Sequence, residues 1–205
     1  MDDEKSLREA VIKAAHVILS GGLVAFPTES FYGLGVNATD AGAVERLFKL
    51  KKRAADHPIL VLLPSLTQLT EYVVHISDTA LKLIEKFWPG GLTLVFEASP
   101  KLSPLLTAGT GKIGIRISGH PIAGVLARMV GRPITGTSAN ISGRPACNTP
   151  EEVSHSLGKA VDMILDGGRT AGGKGSTVLD VTVNPPRILR EGIVERERLR
   201  EVILL

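Results

Sequence analysis

Short aliphatic runs, each cut off by glycine, proline or a group of hydroxyl-bearing residues, alternate with amphipathic stretches along the whole chain. Alternation of strand and helix leaves one main packing solution, an α/β domain whose sheet is covered by helices. The apolar runs lie at 23–26, 59–63, 92–96, 113–117 and 134–137. The run at 59–63 is uninterrupted Ile, Leu and Val and reads as a buried strand, and the other four read as short strands. Further strands are expected near 162–165, 177–182 and 187–190, crowded enough to make the sheet mixed rather than purely parallel. Residues 4–20 place Leu7, Val11, Ala14 and Ile18 on one helical stripe. Asp40 is a candidate cap for a helix running to about Lys52, with Val44, Leu47 and Phe48 inward. Helical patterns follow near 66–74, 78–88 and 121–129, the last opening with proline in its first turn. Thr149-Pro150-Glu151-Glu152 is a capping box with proline at the first helical position, and a charged helix starts near 194.

The 205 residues suit a single domain over 1–205. Aromatic residues are only 4% of the chain, so its core has to be aliphatic. No apolar run approaches the roughly 20 residues that span a bilayer, and no membrane association is expected. The opening MDDEKSLREA lacks the basic-then-apolar order of a secretory leader, so a cytoplasmic location is expected. With Cys147 the only cysteine, an intrachain disulfide and a cysteine-rich zinc site are both excluded. Twenty-four Lys and Arg against 21 Asp and Glu give +3, which permits an anionic ligand without demanding a nucleic acid.

Polar residues gather where the apolar runs stop. After 23–26 comes PTESFYGLG, a proline followed by two hydroxyls and a carboxylate. Lys51-Lys52-Arg53 ends a helix, where cations interact favourably with the dipole. So placed, at a helix end among polar residues, replacement of Lys51 is expected to cost no more than about 1 kcal/mol. Arg116 sits inside the apolar run at 113–117 and shares a face with Gly114, which leaves room beside the guanidinium. The stretch TGTSANISG, from Thr135, combines small hydroxyls, an amide and glycines, as anion-binding turns do. Gly168 with Gly173-Lys174 has the spacing of a P-loop, but Gly175 stands where that motif needs Ser or Thr, and a strand follows rather than a helix. A serine-nucleophile elbow and a zinc-protease motif are both missing, and the five histidines show no metal-ligand spacing. Cations and neutral donors remain, a set suited to phosphate handling.

In order, PTESFYGLG, KLKKRAADHPI, WPGGLTLVF, IGIRISGHP, TSANISG, GKGSTVLDV and ILREG resemble the YrdC family of threonylcarbamoyl-AMP synthases. The resemblance runs from about residue 10 to 192. It implies a twisted mixed sheet flanked by helices around a basic concave cavity. It also implies an enzyme that makes threonylcarbamoyl-AMP and pyrophosphate from ATP, L-threonine and bicarbonate, with Mg²⁺ accompanying the ATP. The product would pass to tRNA threonylcarbamoyl-transfer proteins that modify an adenosine beside the anticodon, and direct contact with tRNA or double-stranded RNA is an option. Carried over by motif, Thr28, Arg116, Ser138 and Ser176 would bind threonine. Lys51 and Arg53 would grip the ATP phosphates and act in catalysis, with Lys112, Asn140, Thr149 and Arg190 also on the nucleotide. Tyr32 joins Thr28 at the rim of the expected threonine pocket. Ala54 replaces the proline that usually follows the Lys-x-Arg, and Leu62 stands where some members carry a histidine near threonine. With the chain ending at Leu205, the single-domain form is expected.

Two rivals use similar residues. A double-stranded RNA or tRNA-binding module without catalysis would need mainly Lys and Arg, whereas Ser, Thr and Asn are dense in these motifs. A carbamoyl-transfer domain of hydrogenase maturation normally accompanies zinc-finger-like cysteines, and one cysteine argues against it.

Overall fold

Helix α1 (Asp2–Leu19) buries Val11, Ala14 and Ile18 as its stripe predicts, whereas Leu7 stays 37% exposed. The apolar cluster that α1 shares with α6 (Pro121–Val130) and β1 (Val24–Pro27) takes in α1 only from Ala10 onward. The structure, a computed structural model, describes residues 2–54 and 56–205. The remaining elements, in chain order, begin with β2 (Tyr32–Gly35), α2 (Ala41–Lys51), β3 (Val61–Leu62), α3 (Leu69–Tyr72), α4 (Asp78–Phe87) and β4 (Leu92–Glu97). Then come α5 (Pro104–Thr107), β5 (Lys112–Arg116), β6 (Ile134–Thr135), β7 (Thr137–Ser138) and α7 (Pro150–Leu157). The chain closes with β8 (Met163–Ile164), β9 (Thr177–Asp180), β10 (Arg187–Arg190) and α8 (Arg196–Arg200).

The strands divide into a four-stranded sheet, β7-β2-β1-β8, and a six-stranded one, β10-β9-β4-β5-β3-β6. Both mix parallel and antiparallel pairs, as the crowding of short strands predicts. The expected strand at 134–137 is broken in two, and its halves belong to different sheets: β6 pairs with β3, and β7 with β2. Gly136 makes the crossing. A Cβ there would lie 2.6 Å from Leu60 Cδ1 and 3.2 Å from Leu62 Cγ, so a side chain would have to displace Leu60 and crowd Leu62. The stretch after Pro27 folds back as a hairpin in which Pro27 pairs with Tyr32, so β2 adds a strand beyond those expected from the sequence.

Local signals placed most helices. Asp40 Oδ1 accepts from Ala43 N at 3.0 Å, and Val44, Leu47 and Phe48 are buried. Thr149 Oγ1 accepts from Glu152 N at 3.2 Å, but the reciprocal Glu152 carboxylate takes the Asn148 N–H (2.6 Å), one residue before the cap. The core is aliphatic, with Phe26, Tyr32 and Phe96 its largest fully buried aromatic side chains. Among the described residues, no helix is long and apolar enough to cross a membrane.

Candidate active site

Residues from both sheets line a cavity of about 310 Å³. Its walls carry Thr28, Arg53, Arg116, Ser138, Ser176 and Arg190. A second cavity of about 420 Å³ adjoins it, sharing Arg53 and Ser138 and adding Lys51 and Asn140. A larger groove of about 600 Å³ opens beside α1, but it contains none of these residues, and its Arg46 and Asp162 are paired with each other at 2.8 Å.

Strand ends, tight turns and the C-terminal end of α2 deliver these side chains. Thr28 sits in the β1–β2 turn, where its hydroxyl donates to Phe31 O (2.6 Å). Ser176 precedes β9; its hydroxyl receives one bond from Thr93 Oγ1 at 2.9 Å and another from Arg190 Nη2 at 3.0 Å. Arg190, at the end of β10, also reaches Ser176 O through Nε (3.1 Å) and Nη2 (2.9 Å). Arg53 donates to His57 O (2.9 Å) and Pro58 O (2.7 Å), which fixes its guanidinium across the mouth of both cavities.

Burial, and after it the charge of Arg116, lowers the pKa of Arg190; burial, and after it Arg190, lowers that of Arg53. Three guanidiniums that repel one another in a partly dry cleft form a site whose charge is relieved by an anion.

Lys51 departs most from its sequence reading. It is not a solvated cation at a helix end: it is only 1% exposed. Its ammonium donates to Ser138 O (2.6 Å), Asn140 O (2.8 Å) and Asn140 Oδ1 (3.0 Å). All three protons are therefore engaged in holding the Ser138–Asn140 loop, and a phosphate would have to take one of them. Ser138 Oγ donates to the same Asn140 Oδ1 at 2.7 Å, and Ser142 N to Lys51 O at 2.9 Å, so loop and helix end form one unit. Burial first, and the charge of Arg53 second, bring the Lys51 pKa down to about 7.

Arg116 likewise is not in water: it is 5% exposed, and its Nη1 pairs with Glu29 Oε2 at 2.8 Å and Gly90 O at 3.2 Å. Gly114 leaves no spare room beside it, because a Cβ there would meet Thr93 Cγ2 at 3.1 Å and Leu60 Cβ at 3.2 Å. Two expected nucleotide residues are not brought to either cavity. Lys112 lies at the opposite end of β5 from Arg116, about 13 Å along the strand, and pairs with Asp180 at 3.0 Å. Thr149 is occupied as the cap of α7. Tyr32 lines the first cavity but is fully buried; its hydroxyl donates to Gly168 O (2.7 Å) and accepts from Gly167 N (3.1 Å), which ties the glycine loop down. Sequence reasoning assigned Glu29 no role. A carboxylate between two hydroxyl residues just past a strand was the available signal.

A family model named Sua5/YciO/YrdC, described as "Telomere recombination", matches residues 16–192. The chain belongs to the Sua5/YciO/YrdC family. It is 42% identical to the threonylcarbamoyl-AMP synthase of Pyrococcus abyssi over 93% of its own length and 56% of that protein's. Identity to the Bacillus subtilis threonylcarbamoyl-AMP synthase is 39%, covering 98% of this chain and 59% of the relative. The chain thus spans little more than half the length of these two relatives. The crystal structure of P. abyssi Sua5 complexed with L-threonine superposes with a TM-score of 0.92 at 41% identity, over 94% of this chain and 57% of that one. Within the Sua5/YciO/YrdC frame the two sequence departures find their places. Ala54 is exposed beyond Arg53, and Leu62 is fully buried in β3, leaving Leu60 to line the cavity.

Proposed function

We propose that residues 1–205 act as a single catalytic domain forming threonylcarbamoyl-AMP and pyrophosphate from L-threonine, bicarbonate and ATP. The observation that carries this reading is the pairing of two adjoining cavities. One is lined by hydroxyls and buried Arg116, and both are bridged by Arg53 and Ser138. In the first, Arg116 takes the threonine carboxylate, and Thr28, Ser138 and Ser176 orient the rest of the amino acid. The amine adds to CO2 derived from bicarbonate and loses a proton, giving an N-carboxylate. That carboxylate attacks the α-phosphorus of ATP held across the second cavity, and pyrophosphate leaves.

Attacker and triphosphate are both anionic, so the step depends on fixed positive charge. Arg53 and Arg190 supply it, held in place by their bonds to His57, Pro58 and Ser176. Lys51 and Asn140 keep the loop carrying Ser138 in register, which aligns the two reactants. Among the described residues, no group of three His, Cys, Asp or Glu side chains could hold a metal ion. Mg²⁺ would accompany the nucleotide as MgATP and offset part of the triphosphate charge.

The activated threonylcarbamoyl group is then available to transfer proteins that modify tRNA, in the cytoplasm. The RNA-binding alternative finds less support, because Arg116 is buried and Thr28 and Ser176 line the cleft beside it. Incubation with ATP, L-threonine and ¹³C-bicarbonate, followed by mass spectrometry, tests the reading. A nucleotide product heavier by the single labelled carbon supports it, and an unlabelled product or none overturns it.

A further inference from the structure

Arg116 is held from one side only. Both of its hydrogen bonds leave from Nη1, toward Glu29 Oε2 and Gly90 O. Nε is buried and has no hydrogen-bond partner. A guanidinium presents its most regular carboxylate-binding edge through two parallel N–H groups. Here the Nη1 corner is anchored, and the edge that includes Nε is left to be completed by a ligand.

Glu29 does the anchoring from outside the cavity, since it is not among the wall residues. Its other oxygen, Oε1, accepts from Ser118 Oγ (2.9 Å) and from the Gly119 N–H. The carboxylate thus clamps the β1–β2 turn, which carries Thr28, to Arg116 at the end of β5 and to the following turn at Ser118 and Gly119. Burial raises its pKa, but the Arg116 charge and the hydrogen bonds outweigh burial and leave the carboxyl below its ordinary value. Glu29 is therefore ionised when Arg116 is in use.

We infer that Glu29 is a positioning residue for amino-acid recognition: it holds Arg116 by Nη1 so that the unpartnered edge is presented to a substrate α-carboxylate. This deepens the proposed function and rests on it. A competing role, in which Glu29 simply pins two turns together, would affect both substrates alike.

Glu29→Gln separates the two. The amide has nearly the shape of the carboxylate but carries one donor face, and that face must point at Arg116 Nη1 or at the Ser118 and Gly119 donors. Loss of one charge-assisted bond on the guanidinium should raise the KM for L-threonine roughly tenfold or more, with the KM for ATP changed less than about threefold. If Glu29 works through Arg116, the double variant Glu29→Gln/Arg116→Lys should have a threonine KM close to that of Arg116→Lys alone. Calorimetric titration of L-threonine into each protein, without ATP, provides the same comparison independently of turnover. Threonine and ATP constants that rise together, or single effects that multiply in the double variant, overturn the inference. Wild-type protein that neither binds threonine nor releases pyrophosphate overturns the proposed function itself, and the inference with it. Active wild type with unchanged threonine binding in Glu29→Gln overturns the inference alone.

Discussion

Replacing Lys51 with methionine keeps the apolar stem and deletes the ammonium, which isolates what the three bonds contribute. Without Nζ, Ser138 O keeps the Asn140 N–H (2.9 Å) and Asn140 Oδ1 keeps the Ser138 hydroxyl (2.7 Å). Asn140 O loses the bond that Nζ gives it at 2.8 Å inside a buried loop. One orphaned carbonyl and two weakened acceptors, set against relief of a desolvated charge, give a cost of about 2 kcal/mol. For a chain of this size that lowers Tm by about 4–8 °C. This is larger than the sequence-based expectation of no more than about 1 kcal/mol, which took the lysine as solvated, whereas Lys51 is 1% exposed. The pH dependence has a definite sign. The folded value of about 7 lies below the ordinary 10.5, so between them the unfolded chain binds a proton that the folded chain lacks. The contribution of Lys51 to stability therefore grows as pH rises through that window, and Lys51→Met should lack this slope. Thermal unfolding of both proteins at intervals from pH 6 to 10 provides the comparison. Parallel curves, or a variant with unchanged Tm, would refute the buried-strut account.

Arg116→Lys keeps the charge but not the planar fork, so the threonine requirement should rise about thirtyfold while ATP affinity holds; full activity in this variant would mean the guanidinium is only a diffuse charge. Serine differs from threonine by one methyl, worth about 1–3 kcal/mol in a fitted pocket. It should be a poor substrate but not an inert one, and equal rates would contradict a methyl-sized pocket near Thr28 and Ser176. Tyr32→Phe removes both hydroxyl bonds to Gly167 and Gly168. It should cost about 1–2 kcal/mol and speed proteolysis within 167–175, and unchanged cleavage would refute the latch.

Elements whose signal is local were readable. The stripe of α2, the cap at Thr149 and the proline opening α6 each encode their helix within a few residues. So did the clustering of Thr28, Arg53, Arg116, Ser138, Ser176 and Arg190, through the order of motifs and not through any single one. What stayed hidden depends on contacts distant in sequence. Gly136 looks like part of a loop until Leu60 is known to pass beside it. Lys51 reads as a surface cation because its acceptors are 87 and 89 residues away. Lys112 and Arg116 share one face of β5, yet Asp180 draws the lysine away from the cavity. Glu29 is mute in isolation: its meaning comes from Arg116 and Ser118, which fold against it from 87 and 89 residues on.

The central claim is that one cleft joins three substrates into one activated product. Pyrophosphate release followed in four reactions, the complete mixture and three that each omit L-threonine, bicarbonate or ATP, tests it most directly. The account predicts release only in the complete mixture, and collapse of that release in Arg53→Ala with the fold retained. Release that continues without threonine, or none from folded protein in the complete mixture, would contradict it.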